Sequence, residues 1–203
     1  MYNKIKLKGI ITNIEPSHVI QDIEFNKANL IVPREDGKED IINLRFKKFS
    51  NPYVENSEVS LTGNVRSYSS RLENGKNHVE LYVFTYFDIP ELNDDDQEDI
   101  NDFIVDGRIC KIEELRQTKT GKNNIHFILA NNLIVSDGSK KLNSYIPCIA
   151  WGDTAINLSN LSVNTQLKLH GKLHSREYKK TMEDGTFEIR VAHECSVESF
   201  ELL

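Results

Sequence analysis

Short runs of alternating apolar and polar residues dominate the chain. "KIKLKGII" (4–11), "HFILANNL" (126–133), "YIPCIAW" (145–151), "TQLKLHGKL" (165–173) and "FEIRVA" (187–192) are rich in β-branched and aromatic side chains. Their period is near two, which predicts strands with one buried face. Turn-forming clusters separate them: "ENGKN" (73–77), "KTGKNN" (119–124), "SDGSK" (136–140) and "EDG" (183–185). Two segments break the strand pattern. "DTAINLSNL" (153–161) reads as one or two helical turns with Asp153 as its N-cap. "FSNPYVENS" (49–57) holds Pro52, which shortens any helix there.

The same features recur in the same order in two halves. "IKLKGIITNIE" (5–15) lines up with "FIVDGRICKIE" (103–113), bringing Gly9 onto Gly107 and Ile14 onto Ile112. "FNKANLIV" (25–32) echoes "FILANNLIV" (127–135), and "IINLRF" (41–46) echoes "YIPCIAW". "VSLTGNVRSY" (59–68) matches "LKLHGKLHSR" (167–176), and "ENGKNHVELYV" (73–83) matches "EDGTFEIRVA" (183–192). Five ordered matches predict an internal duplication. Five strands with a helix between the third and fourth is the order of an OB-fold, a Greek-key barrel. A β-sandwich of similar strand count is the rival. The expected architecture is all-β: two tandem OB-folds, residues 1–89 and 104–203, joined by an acidic linker at 90–103.

Charge sharpens that division. The net charge is −6, but residues 1–89 hold 12 basic and 12 acidic side chains, and 104–203 hold 13 and 12. Residues 90–103 carry seven carboxylates and no cation, so this segment accounts for the acidity of the whole chain. The flanking halves are neutral, and basic patches on them are local. Within the segment, Asp94, Asp95, Asp96, Glu98 and Asp99 would compete with a bound polyanion as a tethered rival. No apolar run is long enough to span a membrane, and no signal-peptide core follows the first lysines. Three cysteines without a CxxC spacing point to reduced, buried thiols and a cytoplasmic setting.

Catalytic signatures are missing. "KTGKNN" ends like a phosphate-binding loop, but the first glycine such a loop needs falls at Arg116. His170 and His174 share a strand face but lie about 13 Å apart, too far for one ion. No catalytic residue, metal site or cofactor is expected.

"GRICKIEELRQTKTGKNNIHFILANN" and the run from "YIPCIAWGDTAINL" to "SFEL" resemble the bacterial single-stranded DNA-binding proteins of the tetrameric type. The resemblance spans nearly all of 104–203 and rests on "ELRQTKTGK", "IAWGDTAINL" and "GKLHSREY" followed by "DG". Residues 1–89 share it mainly through the duplication. It implies a non-enzymatic binder of single strands, with little sequence preference, acting in replication, recombination or transfer. Family stacking positions fall on Tyr145, Trp151 and Tyr178, and backbone-contact positions on Arg116, Lys122 and Arg176. Lys179 and Lys180 extend the basic set. In the first half the stacking places hold Ile41, Lys47 and Ser70, while Phe46 and Tyr68 supply shifted aromatics and Arg45, Lys47, Arg66 and Arg71 supply cations. The family works with four OB-folds, so a homodimer is implied. Replication or recombination proteins are the implied partners, and no membrane is. An accessory OB protein of replication restart or recombination, with a protein-binding first copy, is the alternative. A nucleic-acid-processing enzyme is a third reading.

Strand alternation bears on Trp151 independently. Ile146, Cys148 and Ala150 form a small apolar face, and Tyr145, Pro147, Ile149 and Trp151 form the other. The small set suits a tight barrel interior, which leaves the two large aromatics outside.

Overall fold

The alternation along residues 3–11 becomes a strand whose odd positions are buried and whose Lys4, Lys6, Lys8 and Ile10 face solvent. The structure is a computed structural model that describes residues 1–48, 53–71, 77–85, 101–134, 141–182 and 185–203. The first copy consists of β1 (Asn3–Ile20), β2 (Ile23–Pro33), β3 (Glu39–Lys47), β4 (Glu58–Arg71) and β5 (Asn77–Thr85). The second consists of β6 (Asn101–Ile112), β7 (Arg116–Gln117), β8 (Asn123–Ile134), β9 (Lys141–Trp151), α1 (Gly152–Ser159), β10 (Gln166–Thr181) and β11 (Phe187–Leu202). Each copy closes on itself. In the first, β1 pairs β2 and β4, β2 pairs β3, β3 runs parallel to β5, and β5 pairs β4. The second repeats this through β6, β8, β9, β11 and β10, with β7 added on β8. This ring with one parallel contact is the OB-fold, not a sandwich of two sheets.

The register confirms the duplication residue by residue. Leu44 opposes Val83 across the parallel contact, and Cys148 opposes Cys195 in the same place. Both thiols are buried, and burial together with the neighbouring Cys195 pushes the Cys148 thiol well up. The equivalent glycines mark where strands cross at close range. A Cβ on Gly63 would meet the Phe84 carbonyl at 2.6 Å, and one on Gly107 the Ala130 carbonyl at 2.8 Å. Gly171 and Gly9 have the same relation to the Ser196 and Ile31 carbonyls. No side chain fits at these crossings.

The two barrels share one sheet because β1 pairs antiparallel with β6, Ile5 opposite Phe103. Where β1 leaves β4 to make that contact, a side chain continues the ladder. Asn3 Nδ2 donates to the Val65 carbonyl at 2.8 Å and its Oδ1 accepts from Val65 N at 2.9 Å. Asn101 does the same for Leu173, at 2.7 and 2.9 Å. The buried Asn131 adds bonds to the Tyr2 and Asp106 carbonyls. Buried backbone groups that lost their strand partner are thus satisfied by amides.

Two details differ from the pattern-based expectations. Strand β6 begins at Asn101, so residues 101–103 belong to the second barrel; Asn101 and Phe103 are buried and the alternation outweighs the nearby charge. Asp153 lies in the first turn of α1 rather than capping it, and the capping place falls to Trp151 without a side-chain bond. Its carboxylate still sits where the helix dipole favours an anion. The acidic residues 90–100 and residues 49–52 lie outside the described residues.

Candidate single-strand interface

Strand β9 carries the aromatic residues. Ile146, Cys148 and Ala150 point into the barrel and are essentially fully buried. On the outer face Tyr145 is 48% exposed and Trp151 36%, with Pro147 and the nearly covered Ile149 between them. At about 3.3 Å per residue the two rings stand about 20 Å apart along the strand. Trp151 ends the strand because Gly152 takes a positive φ of 58°, which turns the chain into α1. The indole is therefore held by a strand on one side and a helix on the other. Lys122, from the β7–β8 turn, places its ammonium 5.2 Å from the indole centroid. Such a cation beside the ring puts a positive charge next to the exposed part of the indole.

The remaining predicted cations of the second copy lie at the surface, and Arg176 lines a groove with Trp151. Arg116 on β7 is exposed and pairs with Glu113 at 3.1 Å. Arg176 on β10 lies 3.8 Å from Glu194. Tyr178 is half-buried on the projecting β10–β11 hairpin, with Lys179 and Lys180 following it. Lys179 lies 4.8 Å from the ring centroid of Phe187, a 62% exposed aromatic side chain that falls on none of the family stacking positions. A strand period cannot tell which face is inside once a hairpin projects past its barrel, so "FEIRVA" reads as core when its apolar face is open.

The first copy presents different chemistry in the same register. Ile41, Asn43, Arg45 and Lys47 occupy the places of Tyr145, Pro147, Ile149 and Trp151. Arg45 lies 4.3 Å from the Tyr82 ring centroid and 5.7 Å from that of Tyr68, and pairs with Glu80 at 3.5 Å. Tyr68 is 53% exposed, so this aromatic position is open. Arg66 stacks over Phe84 at 4.0 Å. Lys47 ends β3 half-buried, and Arg71 ends β4 with its side chain outside the described residues. Phe46 is a correction. Its ring is 0% exposed and packs edge-on against Tyr53 at 5.1 Å, because it takes the inward place that Ala150 fills in the second copy. A ring sealed in the core stacks no base. Tyr82, which alternation alone did not single out, holds Arg45 instead.

Between the copies lies a buried polar junction. Asp40 is fully buried and bonds to Arg34, to His174 Nδ1 at 2.8 Å and to the Ser175 N–H at 2.6 Å. Burial would raise its carboxyl, but the bonds from His174, Arg34 and Ser175 hold it down at about 2. Arg34 also donates to the Ser175 carbonyl at 2.7 Å, so the free edge of β10 is capped by side chains of the first copy. Ile41 N donates to Ser175 Oγ at 2.8 Å, and Tyr145 N does the same to Ser67 Oγ across the duplication. His193 bonds the Ile41 carbonyl at 2.7 Å, and burial lowers its imidazole against that bond. His170 bonds Asp102 instead, so the two histidines on β10 serve different carboxylates. Among the described residues no cluster of metal-ligating side chains is present, and no helix is long and apolar enough to cross a membrane.

Fold and face together define a tandem OB-fold chain with exposed aromatic side chains on the outer face of its second barrel. Residues 100–203 match the single-strand binding protein family. Over 107 residues the chain is 32% identical to single-stranded DNA-binding protein 1 of Streptococcus pyogenes serotype M18 (strain MGAS8232), covering 51% of this chain and 78% of that protein. All of this chain superposes on 93% of the wild-type single-stranded DNA binding protein from Thermus aquaticus, with a TM-score of 0.72 at 17% identity. A deletion mutant of that protein gives 0.71 at 18%, over 94% of its chain. These two share the fold. The present chain belongs to the single-strand binding protein family.

Proposed function

We propose that this protein binds single-stranded DNA with little sequence preference, holding it available during replication, recombination or transfer, without catalysing a reaction. The observation that carries the reading is Trp151: an exposed indole at the end of β9, fixed by Gly152 and flanked by Lys122. A base offers a flat face whatever its identity, and stacking one on an aromatic side chain contributes about 1–3 kcal/mol. Tyr145 and Tyr178 add stacking surface, and Arg116, Lys122, Arg176, Lys179 and Lys180 follow the phosphates by displacing counterions. In the first copy Tyr68, Arg45, Lys47, Arg66 and Arg71 make the lesser contribution. Two barrels per chain and a family that works with four imply a homodimer, since closed two-fold assembly is the commonest arrangement. Action in the cytoplasm, beside replication and recombination proteins, follows from the same reading.

Trp151 is the sole tryptophan, so its emission reports the site directly. Titration with single-stranded DNA should quench it, with affinity falling steeply as salt rises. RNA and duplex competitors, and a labelled strand incubated with divalent metal, complete the test. Preference for duplex, or cleavage of the strand, would sink the proposal. Light scattering should give the mass of a dimer at micromolar concentration.

A further inference from the structure

The β2–β3 hairpin of the first copy does more than cap the edge of β10. Beside the Asp40 junction is a groove of about 470 Å³ with walls from both copies. Ile149, Trp151 and Val191 come from the second copy, and Arg34, Lys38 and Ile41 from the first. Small-ligand pockets begin at about 300 Å³, so the groove has room for a nucleotide-sized group. Its charges are nearly balanced. Arg34 is consumed by the buried Asp40 and Arg176 lies against Glu194, while Glu39 and Glu177 also line the wall. A phosphate gains little inside such a groove. An uncharged flat ring gains an apolar floor next to an indole.

Resting on the single-strand reading of Trp151, we propose that this groove is a base slot shared by the two copies. The base that stacks on Trp151 lies against Ile41 of the first copy, and Lys38 at the hairpin takes the adjoining phosphate. Ile41 is suited to this. Its backbone N–H and carbonyl are tied to Ser175 and His193 of the second copy, while its side chain remains 38% exposed. The Lys38 ammonium pairs with Asp36 of its own hairpin at 3.4 Å, an exposed ion pair that phosphate can replace. The strand therefore crosses the copy boundary at Trp151, and a single second barrel would bind its ligand incompletely.

The test uses the whole protein and an oligothymidylate of about eight nucleotides, short enough to occupy roughly one barrel. Ile41→Glu places a carboxylate in the slot without touching the backbone bonds. It should weaken binding about tenfold or more and diminish the quench. Ile41→Tyr, the residue at the equivalent place in the second copy, should tighten binding several-fold. Lys38→Ala should lower the salt slope by about one while the quench at saturation stays. Folded Ile41→Glu and Ile41→Tyr proteins with wild-type affinity overturn the shared slot. If Ile41→Glu does not fold, unchanged binding by both Ile41→Tyr and Lys38→Ala overturns it equally. A wild-type protein that neither binds nor quenches fails earlier and overturns the single-strand reading itself.

Discussion

The outer faces of β3 and β9 occupy one place in two copies of one barrel, and their side chains differ in kind. Tyr145, Pro147, Ile149 and Trp151 make a dry, aromatic-ended face on the second copy. Ile41, Asn43, Arg45 and Lys47 make an amide and cationic face on the first, with Arg45 already engaged by Tyr82 and Glu80. The inner faces trade in the opposite sense, with Phe46 filling the core where Ala150 sits across the duplication. An OB-fold tolerates both exchanges because backbone register and the crossing glycines hold the barrel. What a copy offers to a ligand is decided by a few outward positions.

The largest effect expected from breaking this comparison is on stability. Phe46→Ala should cost about 3–5 kcal/mol of unfolding free energy by denaturant titration, since it removes a fully buried ring. Its effect on DNA affinity, measured on the folded fraction, should be slight. Loss of binding with full stability would return Phe46 to the surface.

Next is the junction. Asp40→Asn should cost about 2–3 kcal/mol, because it weakens bonds to Arg34, His174 and the Ser175 N–H in a water-free place. Ser144→Ala, at the equivalent place, should cost less. Asp40 also brings a pH dependence. Its folded carboxyl is held at about 2 against an ordinary 3.8, so the unfolded chain binds the proton more readily. That stabilisation is complete above about pH 4 and is lost as pH falls toward about 2, amounting to about 2 kcal/mol. An acid-unfolding curve for Asp40→Asn parallel to wild type across this window would contradict the assignment.

Binding effects come third. Trp151→Ala should weaken single-strand binding by about 1–3 kcal/mol with little change in stability. Lys47→Ala, at the matching place in the first copy, should reduce the salt slope slightly and leave the Trp151 quench alone. Equal losses from both changes would erase the distinction between the faces.

The smallest effect concerns Glu80. Replacing it with Gln removes the anion beside Arg45, and affinity at low salt should rise by a few tenths of a kcal/mol, as for an exposed pair. The gain should vanish near 1 M salt, where screening is nearly complete. Weaker binding instead would mean that Glu80 positions Arg45 rather than competing with the strand.

Much of this was legible along the chain. A period of two settles which residues of "YIPCIAW" share a face, and a barrel interior has room for only the smaller set. Trp151 outside and Cys148 inside follow from that alone. The repeat then carries the register to Ile41 and Lys47. Phe46 shows the limit of matching by residue type, because the same alternation that exposes Trp151 turns position 46 inward. Phe187 shows the converse, since a hairpin that outruns its barrel has no inside.

By itself, then, the sequence determined two barrels of five main strands, their order, and the alternating faces, because these rest on short-range geometry and on a duplication visible as text. Only tertiary structure decided how the barrels meet. The pairing of β1 with β6, the amides of Asn3 and Asn101 standing in for lost strand partners, and the bonds of the buried Asp40 to His174 and Ser175 join residues 62 to 135 positions apart. No local pattern encodes such contacts. They exist because a strand edge and a buried carboxylate each require partners, and folding brings those partners from wherever the chain holds them.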